Sequence, residues 1–460
     1  MSRRSTQKKL EDYVRSIFLS KDLKSHETWS RAELHEFQYR QLNSLVRHAV
    51  QRSSFYKKLY RSVNTDNPVS LEMLPIVSKK MLMDNFDTVV TDPMLHSSEL
   101  YQYLDLYTPR DYYMGEYRIL STAGSSGLRG VFMYDRAAWG VVLASMQRAF
   151  SWMGLSSLRD RRLASIGASS PLHLSYRRAV DMDIGLYRFL RLEATSRINT
   201  LVRELNEFQP EYIHMYPTIA YLLAREQTEG RLKISPHTIV TGAELLTQET
   251  SECIQEAWRI VPFNCYSSTE GIVAFECVQH NGMHLFEDLC IVEVVDEHNR
   301  PVPDGCPGYK YLLTNLYQYV QPLIRYEVMD MITLSSEVCA CGLPFKRIEF
   351  IEGRSDDIIL LEGLDGKSVP VHSIHFHSPI ASIAEVIHYE VVHRRNGLHI
   401  ALAVAGGTGK RAVETLLVKK LQTKFRDLRI KPPPIHINFI MSGDVPPNPT
   451  GKMKLVREEV

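Results

Sequence analysis

Several short segments of this 460-residue sequence bring together groups that handle phosphate, divalent cations and ribose. Ser121-Thr122-Ala123-Gly124-Ser125-Ser126-Gly127 combines glycines with small hydroxyls, which lets backbone amides turn inward around a polyphosphate. It is not a Walker A loop, because no Gly-Lys-Ser/Thr follows. Tyr266-Ser267-Ser268-Thr269-Glu270-Gly271 follows an apolar run at 260–263 and offers a hydroxyl to phosphate and a carboxylate to Mg2+. Just upstream, Thr241-Gly242-Ala243-Glu244 sits at another strand end, where α/β sheets place ligand sites. Asp330, closing the segment 321–330, can accept two hydrogen bonds at once from paired ribose hydroxyls. Gly353-Arg354-Ser355-Asp356-Asp357 suits a hinge, with Arg354 available to phosphate or ribose. Near the end, Pro446-Pro447-Asn448-Pro449-Thr450-Gly451-Lys452 presents a lone lysine on a proline-rich loop. Each segment alone reads more readily as a surface turn or ion pair; the weight lies in their number and order.

The elements that must position these groups follow from periodicity. Leu34, Phe37, Leu42, Leu45, Val46, Ala49 and Val50 recur at helical spacing, and Ser53 ends the pattern. Residues 74–80 read as a turn into a short helix. Apolar runs at 117–120 and 131–134 flank the Gly/Ser loop, predicting strand–loop–strand, with a buried helix at 139–150. Between 160 and 265, helices (198–208, 218–228) alternate with strands (212–216, 238–240), which predicts an α/β layer. From 283 to 335, short strands such as 290–295 and 309–314 with Pro/Gly turns predict an antiparallel sheet or small barrel. The last hundred residues read as a separate α+β unit: strands at 386–393 and 399–404 joined at Asn396-Gly397, a helix at 410–428 and a strand at 435–441.

At 460 residues the chain exceeds one ordinary core, so two domains are expected, 1–353 (helical over about the first hundred residues) and 354–460. A net charge of +1 gives no electrostatic case for nucleic acid or a membrane surface. The basic start is followed by a stretch broken by Glu11, Asp12 and Arg15, which is no signal-peptide core, and no run approaches spanning length; a cytoplasmic protein is expected. The seven cysteines all lie between Cys253 and Cys341, an odd count that argues against a disulfide framework. Cys339 and Cys341, with Cys277, His280 and His284 upstream, are thiolate and imidazole donors of the number and type that closed tetrahedral zinc takes. The plainer alternative is a set of buried, unligated cysteines.

Taken together, the sequence resembles the adenylate-forming superfamily of acyl-CoA synthetases, adenylation domains and luciferases, and within it the phenylacetate–CoA ligase family. The likeness runs over nearly the whole chain, from Gln38-Tyr39-Arg40-Gln41-Leu42-Asn43-Ser44-Leu45-Val46-Arg47-His48-Ala49 and Ser54-Phe55-Tyr56 through the segments above to Thr450-Gly451-Lys452. It implies an α/β fold with a large N-terminal domain of α/β layers plus a small β-barrel-like subdomain, and a small, mobile C-terminal α+β domain. It implies ATP-dependent conversion of a carboxylic acid, aromatic or arylacetic, to an acyl-adenylate, with transfer to CoA as the second step. By the same resemblance Ser125, Ser126 and Gly127 lie over the β- and γ-phosphates. Gly242, Ala243 and Glu244 line the adenine pocket, and Tyr266 with Ser267 lies against adenine or the acid. Thr269 contacts phosphate, Glu270 holds Mg2+, and Asp330 and Arg354 bind ribose. Asp356 is the pivot, and Lys452 bridges carboxylate and α-phosphate. The family's zinc site favours Cys277, His284, Cys339 and Cys341, with His280 as rival to His284. Three departures stand out: Leu128-Arg129-Gly130 where relatives have Lys-Pro, Glu327-Val328-Met329 before Asp330 in place of Arg-Thr-Gly, and Asn448-Pro449 in place of Arg-Thr. The changes at 327–329 keep open a silent nucleotide-binding homologue, and transfer to a carrier-protein thiol or an amine stands as a separate alternative for the second step. Tyr212, Tyr216 and Tyr266 could line an aromatic pocket or belong to the core.

Overall fold

The computed structural model describes residues 3–106, 112–122, 128–155, 161–355, 359–371, 374–381, 383, 385–404, 409–440 and 456–458. The chain opens with helices α1 (Arg3–Ser25), α2 (Arg31–Arg52), α3 (Ser54–Leu59), α4 (Lys79–Asp84), α5 (Phe86–Val89) and α6 (Ser97–Leu106). The expected stripe of α2 buries Leu34, Leu42, Leu45, Val46 and Ala49. Its start is fixed by a capping box: Ser30 Oγ accepts from the Glu33 N–H, and the Glu33 carboxylate accepts from the Ser30 N–H. Ser53 ends α2 and also caps α3 by accepting from the Tyr56 N–H.

Strands β1 (Arg118–Ser121) and β2 (Val131–Tyr134) form the predicted antiparallel pair at the foot of the Gly/Ser loop, with Ser121 opposite Val131. Helix α7 (Arg136–Trp152) follows, buried at Trp139, Leu143 and Phe150. Helix α1 packs along it.

Next come β3 (Arg162–Gly167), α8 (Leu174–Met182), β4 (Arg188–Glu193), α9 (Ile198–Phe208), β5 (Tyr212–Met215), α10 (Pro217–Thr228), β6 (Thr238–Gly242), α11 (Gln248–Trp258) and β7 (Phe263–Ser268). The five strands are parallel neighbours in the order β7-β6-β5-β3-β4. The chain therefore leaves β3 toward β4, then returns to lay β5 on the other side of β3. That reversal makes the carboxyl ends of β3 and β5 the switch point, the crevice where open α/β sheets hold ligands.

Strands β8 (Gly271–Glu276), β9 (Met283–Leu285), β10 (Cys290–Val295), β11 (Lys310–Asn315), β12 (Tyr326–Val328), β13 (Asp330–Leu334) and β14 (Arg347–Arg354) complete this part. Four of them continue the large sheet past β7 as β8-β9-β14-β13, giving nine strands, while β10, β11 and β12 form an open three-stranded antiparallel sheet. Of the antiparallel sheet or small barrel expected for 283–335, the antiparallel sheet forms; no closed barrel is present among the described residues, so the barrel-like subdomain is corrected to an open sheet. Alternating apolar residues mark a half-buried strand but not which edge it pairs with, and here the strands divide between two sheets.

From residue 359 onward a second core forms on its own elements: β15 (Ile359–Glu362), β16 (Ser368–Val371), α12 (Ile374–Ala381), β17 (Val386–Arg394), β18 (Gly397–Val404), α13 (Lys410–Asp427), β19 (Ile435–Phe439) and β20 (Val456–Glu458). Val413, Leu417, Leu421 and Phe425 of α13 cover Val391, Ile400 and Leu402. At the predicted hairpin, Gly397 has φ 125° and a Cβ there would lie 2.3 Å from the Pro434 carbonyl oxygen, so the turn requires glycine. No helix among the described residues is long and apolar enough to cross a membrane.

Candidate active site and metal centre

Ser125, Ser126, Gly127, Asp356 and Lys452 lie outside the described residues. The foot of the Gly/Ser loop is well defined. Thr122 N–H donates to the Gly130 carbonyl at 2.9 Å, and Thr122 Oγ1 accepts from the Gly130 N–H at 2.8 Å. Lys79, the first residue of α4, reaches Thr122 Oγ1 at 3.0 Å, and Arg129 Nε donates to Ser121 Oγ at 2.8 Å. A Cβ at Gly130 would lie 2.7 Å from Lys79 Cε, so the glycine makes room for the lysine. Sequence reasoning placed Lys79 in a turn and missed it; Ser78 as a cap, with Lys79 at the first helical position, was the available signal.

Tyr266 and Ser267 lie near the end of β7, and Thr269 and Glu270 make the turn into β8. Ser268 Oγ accepts from the Glu270 N–H at 3.3 Å. Two buried side chains hold this turn from outside: Tyr134 OH donates to the Thr269 carbonyl at 2.8 Å and Asn315 Nδ2 to the Glu270 carbonyl at 3.0 Å. The Glu270 carboxylate accepts from Tyr326 OH at 3.1 Å. That engages one oxygen with a neutral donor and leaves the other for a cation. Tyr266 OH donates to the Asp330 carboxylate and lies 3.0 Å from Tyr311 OH. Burial, reinforced by the Asp330 charge, holds the Tyr266 phenol well above its ordinary range, so it remains a donor. Asp330 sits opposite Arg354 in the β13–β14 register, with Arg354 Nε 4.0 Å from Asp330 Oδ1. The structure therefore brings Tyr266, Glu270, Asp330 and Arg354 into one region. Tyr311 and Tyr326, its supporting hydroxyls, were missed because nothing local distinguishes them from core tyrosines.

Gly242 ends β6, and a Cβ there would lie 2.4 Å from Cys265 Sγ. Ala243 follows with φ 69°. Glu244 turns toward α10, where its carboxylate accepts from the Thr218 N–H at 3.2 Å and hydroxyl at 2.8 Å, at the positive end of the helix. A cleft runs from Thr269 and Ser267 past Ala243 to Cys265, His214 and Arg178. Burial, and then Arg178, lowers His214 from its ordinary value to about 3, so this imidazole is neutral. Of the tyrosines read as pocket or core, Tyr212 packs edge-on to Phe150 in the core, and Tyr216 places its hydroxyl 3.3 Å from Ser175 Oγ.

All seven cysteines are free thiols. Cys277, His284, Cys339 and Cys341 gather with their donor atoms within 4.8 Å of one another. Cys277 Sγ and Cys339 Sγ are 3.8 Å apart, close to the ~3.8 Å that two sulfurs span on a tetrahedral zinc. Cys341 Sγ lies 3.2 Å from His284 Nε2. His284 Nδ1 is 2.9 Å from the Phe345 carbonyl. A carbonyl can only accept, so Nδ1 carries the proton and the Nε2 lone pair faces the sulfurs, as in a metal-ready imidazole. The donor set fits a closed zinc site. His280 is elsewhere, with Nδ1 3.3 Å from Glu276 Oε2 and its ring against Phe263.

At the expected boundary, β14 continues through Gly353 and Arg354. The Ser355 N–H and hydroxyl both donate to the Met329 carbonyl, at 2.8 and 3.0 Å.

No family model matches the chain. The chain is 32% identical over 202 residues to a phenylacetate–coenzyme A ligase of Thermus thermophilus, spanning 42% of this chain and 44% of that protein. With the phenylacetate–coenzyme A ligase of Aromatoleum evansii it shares 25% identity over 368 residues, 75% of this chain and 76% of that one. Among solved structures, 2-hydroxyisobutyryl-CoA ligase in its postadenylation state aligns with a TM-score of 0.73 at 18% identity, over 94% of this chain and 91% of that chain.

Proposed function

We infer that this homologue of the phenylacetate–CoA ligases, built on the fold of the adenylate-forming CoA ligases, is an AMP-forming acid–thiol ligase. In the first half-reaction a carboxylate oxygen of the acid attacks the α-phosphorus of ATP, and the bond to pyrophosphate breaks. In the second, a thiol sulfur of CoA attacks the acyl carbonyl and AMP leaves with its electron pair; the thiol proton passes to solvent. The observation that carries this reading is the juxtaposition of Tyr266, Asp330 and Arg354 with the Thr269-Glu270 turn, beside the ligand crevice of the sheet.

Each residue then has a role its chemistry supports. Asp330, oriented by Tyr266, takes the ribose hydroxyls with Arg354 alongside. Ser125, Ser126 and Gly127, on a loop whose foot carries Lys79 and Arg129, cover the phosphates. Gly242 and Ala243 pass their backbone beside adenine, with Glu244 holding that turn to α10, and Ser267 and Thr269 face the reacting end. Mg2+, when held by Glu270, neutralises phosphate charge as the two anions approach. Lys452 supplies a further cation between carboxylate and α-phosphate. Residues 354–460 form a small domain that pivots at Asp356. Zinc on Cys277, His284, Cys339 and Cys341 pins the segment leading into β14. The seven free thiols support a reducing, cytoplasmic setting.

The test is a product balance. Purified protein with ATP, Mg2+, CoA and a panel of carboxylic acids should yield one AMP and one pyrophosphate for each thioester with at least one acid. Release of ADP and phosphate, or adenylation with no thioester, would contradict it; the latter result would move the acceptor to a carrier thiol or an amine.

A further inference from the structure

We propose that the acid this protein activates carries a second anionic group, and that Arg178 holds it at the inner end of the cleft; the proposal rests on the acid-activating reading above. Arg178 projects from α8, the helix that follows β3, so it borders the switch-point crevice. Its side chain is buried, at 6% exposure. One guanidinium nitrogen lies 3.1 Å from Met146 Sδ and another 3.3 Å from His214 Nε2. No carboxylate among the described residues stands within ion-pair distance. Two other buried arginines have carboxylate partners: Arg118 pairs with Asp181 at 2.8 Å, and Arg148 grips Asp288 through two bonds of 2.6 and 2.9 Å. Arg347, also buried, is held instead by the Asn281 and Glu337 carbonyls and Ser335 Oγ. Buried charges are retained where something opposes them. A thioether, a neutral imidazole and the Cys265 thiol, whose pKa burial raises despite its hydrogen bond to Arg178, are neighbours but not counter-charges.

The position of Arg178 says which part of a ligand it meets. His214 Nε2, its partner, also lies 3.8 Å from Cys265 Sγ, so the guanidinium sits at the level of Cys265 on β7. From there β7 runs three residues to Ser268 and the Thr269 turn, where the reacting carboxylate must meet phosphate. At ~3.3 Å per residue that is about 10 Å. The cation is therefore too deep to serve the reacting carboxylate and lies opposite the far end of the acid. An aromatic ring or a short methylene chain between two anionic ends spans this distance. The cleft's other groups agree: Ser175 Oγ, 2.9 Å from His173 Nδ1 and 3.3 Å from Tyr216 OH, makes the α8 wall polar.

The test uses matched pairs on the full-length protein: adipate against hexanoate, and 4-carboxyphenylacetate against 4-methylphenylacetate, in ATP–pyrophosphate exchange. Wild type should favour the dianionic member of a pair, and Arg178→Met should lower its kcat/KM about 10- to 100-fold, chiefly through KM, while the neutral-tailed partner gains or holds. Arg178→Lys should recover part of the loss. ATP affinity measured by calorimetry, unchanged in Arg178→Met, shows that the variant is folded. Wild-type preference for the neutral-tailed acids, or an unchanged preference in Arg178→Met, overturns the proposal. Should none of the four acids support exchange, calorimetric binding of the same acids decides. Dianion-selective binding lost in Arg178→Met upholds the Arg178 site while the activation reading fails, and no selective binding overturns the site as well.

Discussion

Glu270 and His214 show how the same sheet end serves charge in opposite ways. Glu270 accepts from a neutral donor, Tyr326 OH, through one carboxylate oxygen, which leaves the other for a cation. Glu270→Gln should raise the Mg2+ concentration needed for half-maximal adenylation about tenfold; an unaltered Mg2+ titration would make Glu270 a surface residue. His214 is kept uncharged by burial and by Arg178, with Cys265 as the other group facing its ring. Its folded value of about 3 lies below the ordinary 6.5. Below pH 6.5 the unfolded chain therefore binds a proton that the folded protein refuses. Its contribution is complete above pH 6.5 and is lost as pH falls, at ~1.4 kcal/mol per pH unit. Between pH 6.5 and 5, wild type should lose about 2 kcal/mol more stability than His214→Asn, read by chemical denaturation. Coincident slopes for the two proteins would show that His214 titrates normally.

At the scale of elements, the Cys/His cluster joins segments far apart in sequence: Cys277 follows β8, His284 lies on β9, and Cys339 and Cys341 lie on the loop before β14. Elemental analysis should find one zinc per chain, lost in Cys339→Ser and in His284→Ala but kept in His280→Ala. Zinc surviving the first two changes, or absent from wild type, would contradict the site. Resemblance favours His284 over His280, and the fold supports that choice: β9 turns His284 toward the sulfurs, while His280 packs on Phe263. Local pattern was enough for α9, the β1–β2 pair and the glycine turn at Gly397, because each is set by neighbours in sequence. It was not enough for α1. Glu11, Asp12 and Arg15 read as breaks in an apolar run, yet Asp12 is buried against Arg136, 124 residues away. Arg178 was missed for the same reason, since a buried cation on α8 looks like any solvated arginine until the sheet order puts it beside the crevice.

The whole molecule pairs a large nine-stranded sheet with a second core that begins at residue 359. The two half-reactions proposed above account for that division: a cation needed while pyrophosphate leaves must withdraw before a thiol can approach. The pivot proposed at Asp356 is then a requirement of the second step alone. Asp356→Pro should spare adenylate formation and abolish thioester formation, because proline fixes the φ angle that a pivot must change. Equal loss of both steps would argue that the segment only supports the fold.

The central claim is that this protein joins a carboxylate to the α-phosphate of ATP, and acid-dependent ATP–pyrophosphate exchange measures that step without reference to the acceptor. With a panel that includes arylacetic and dianionic acids, wild type should exchange labelled pyrophosphate into ATP for at least one acid. Lys452→Ala should lose on the order of 2–4 kcal/mol of barrier lowering in the same assay, while thiolysis of a preformed adenylate continues. Exchange that is absent for every acid in protein shown to bind ATP, or that is unchanged in Lys452→Ala, would contradict the account.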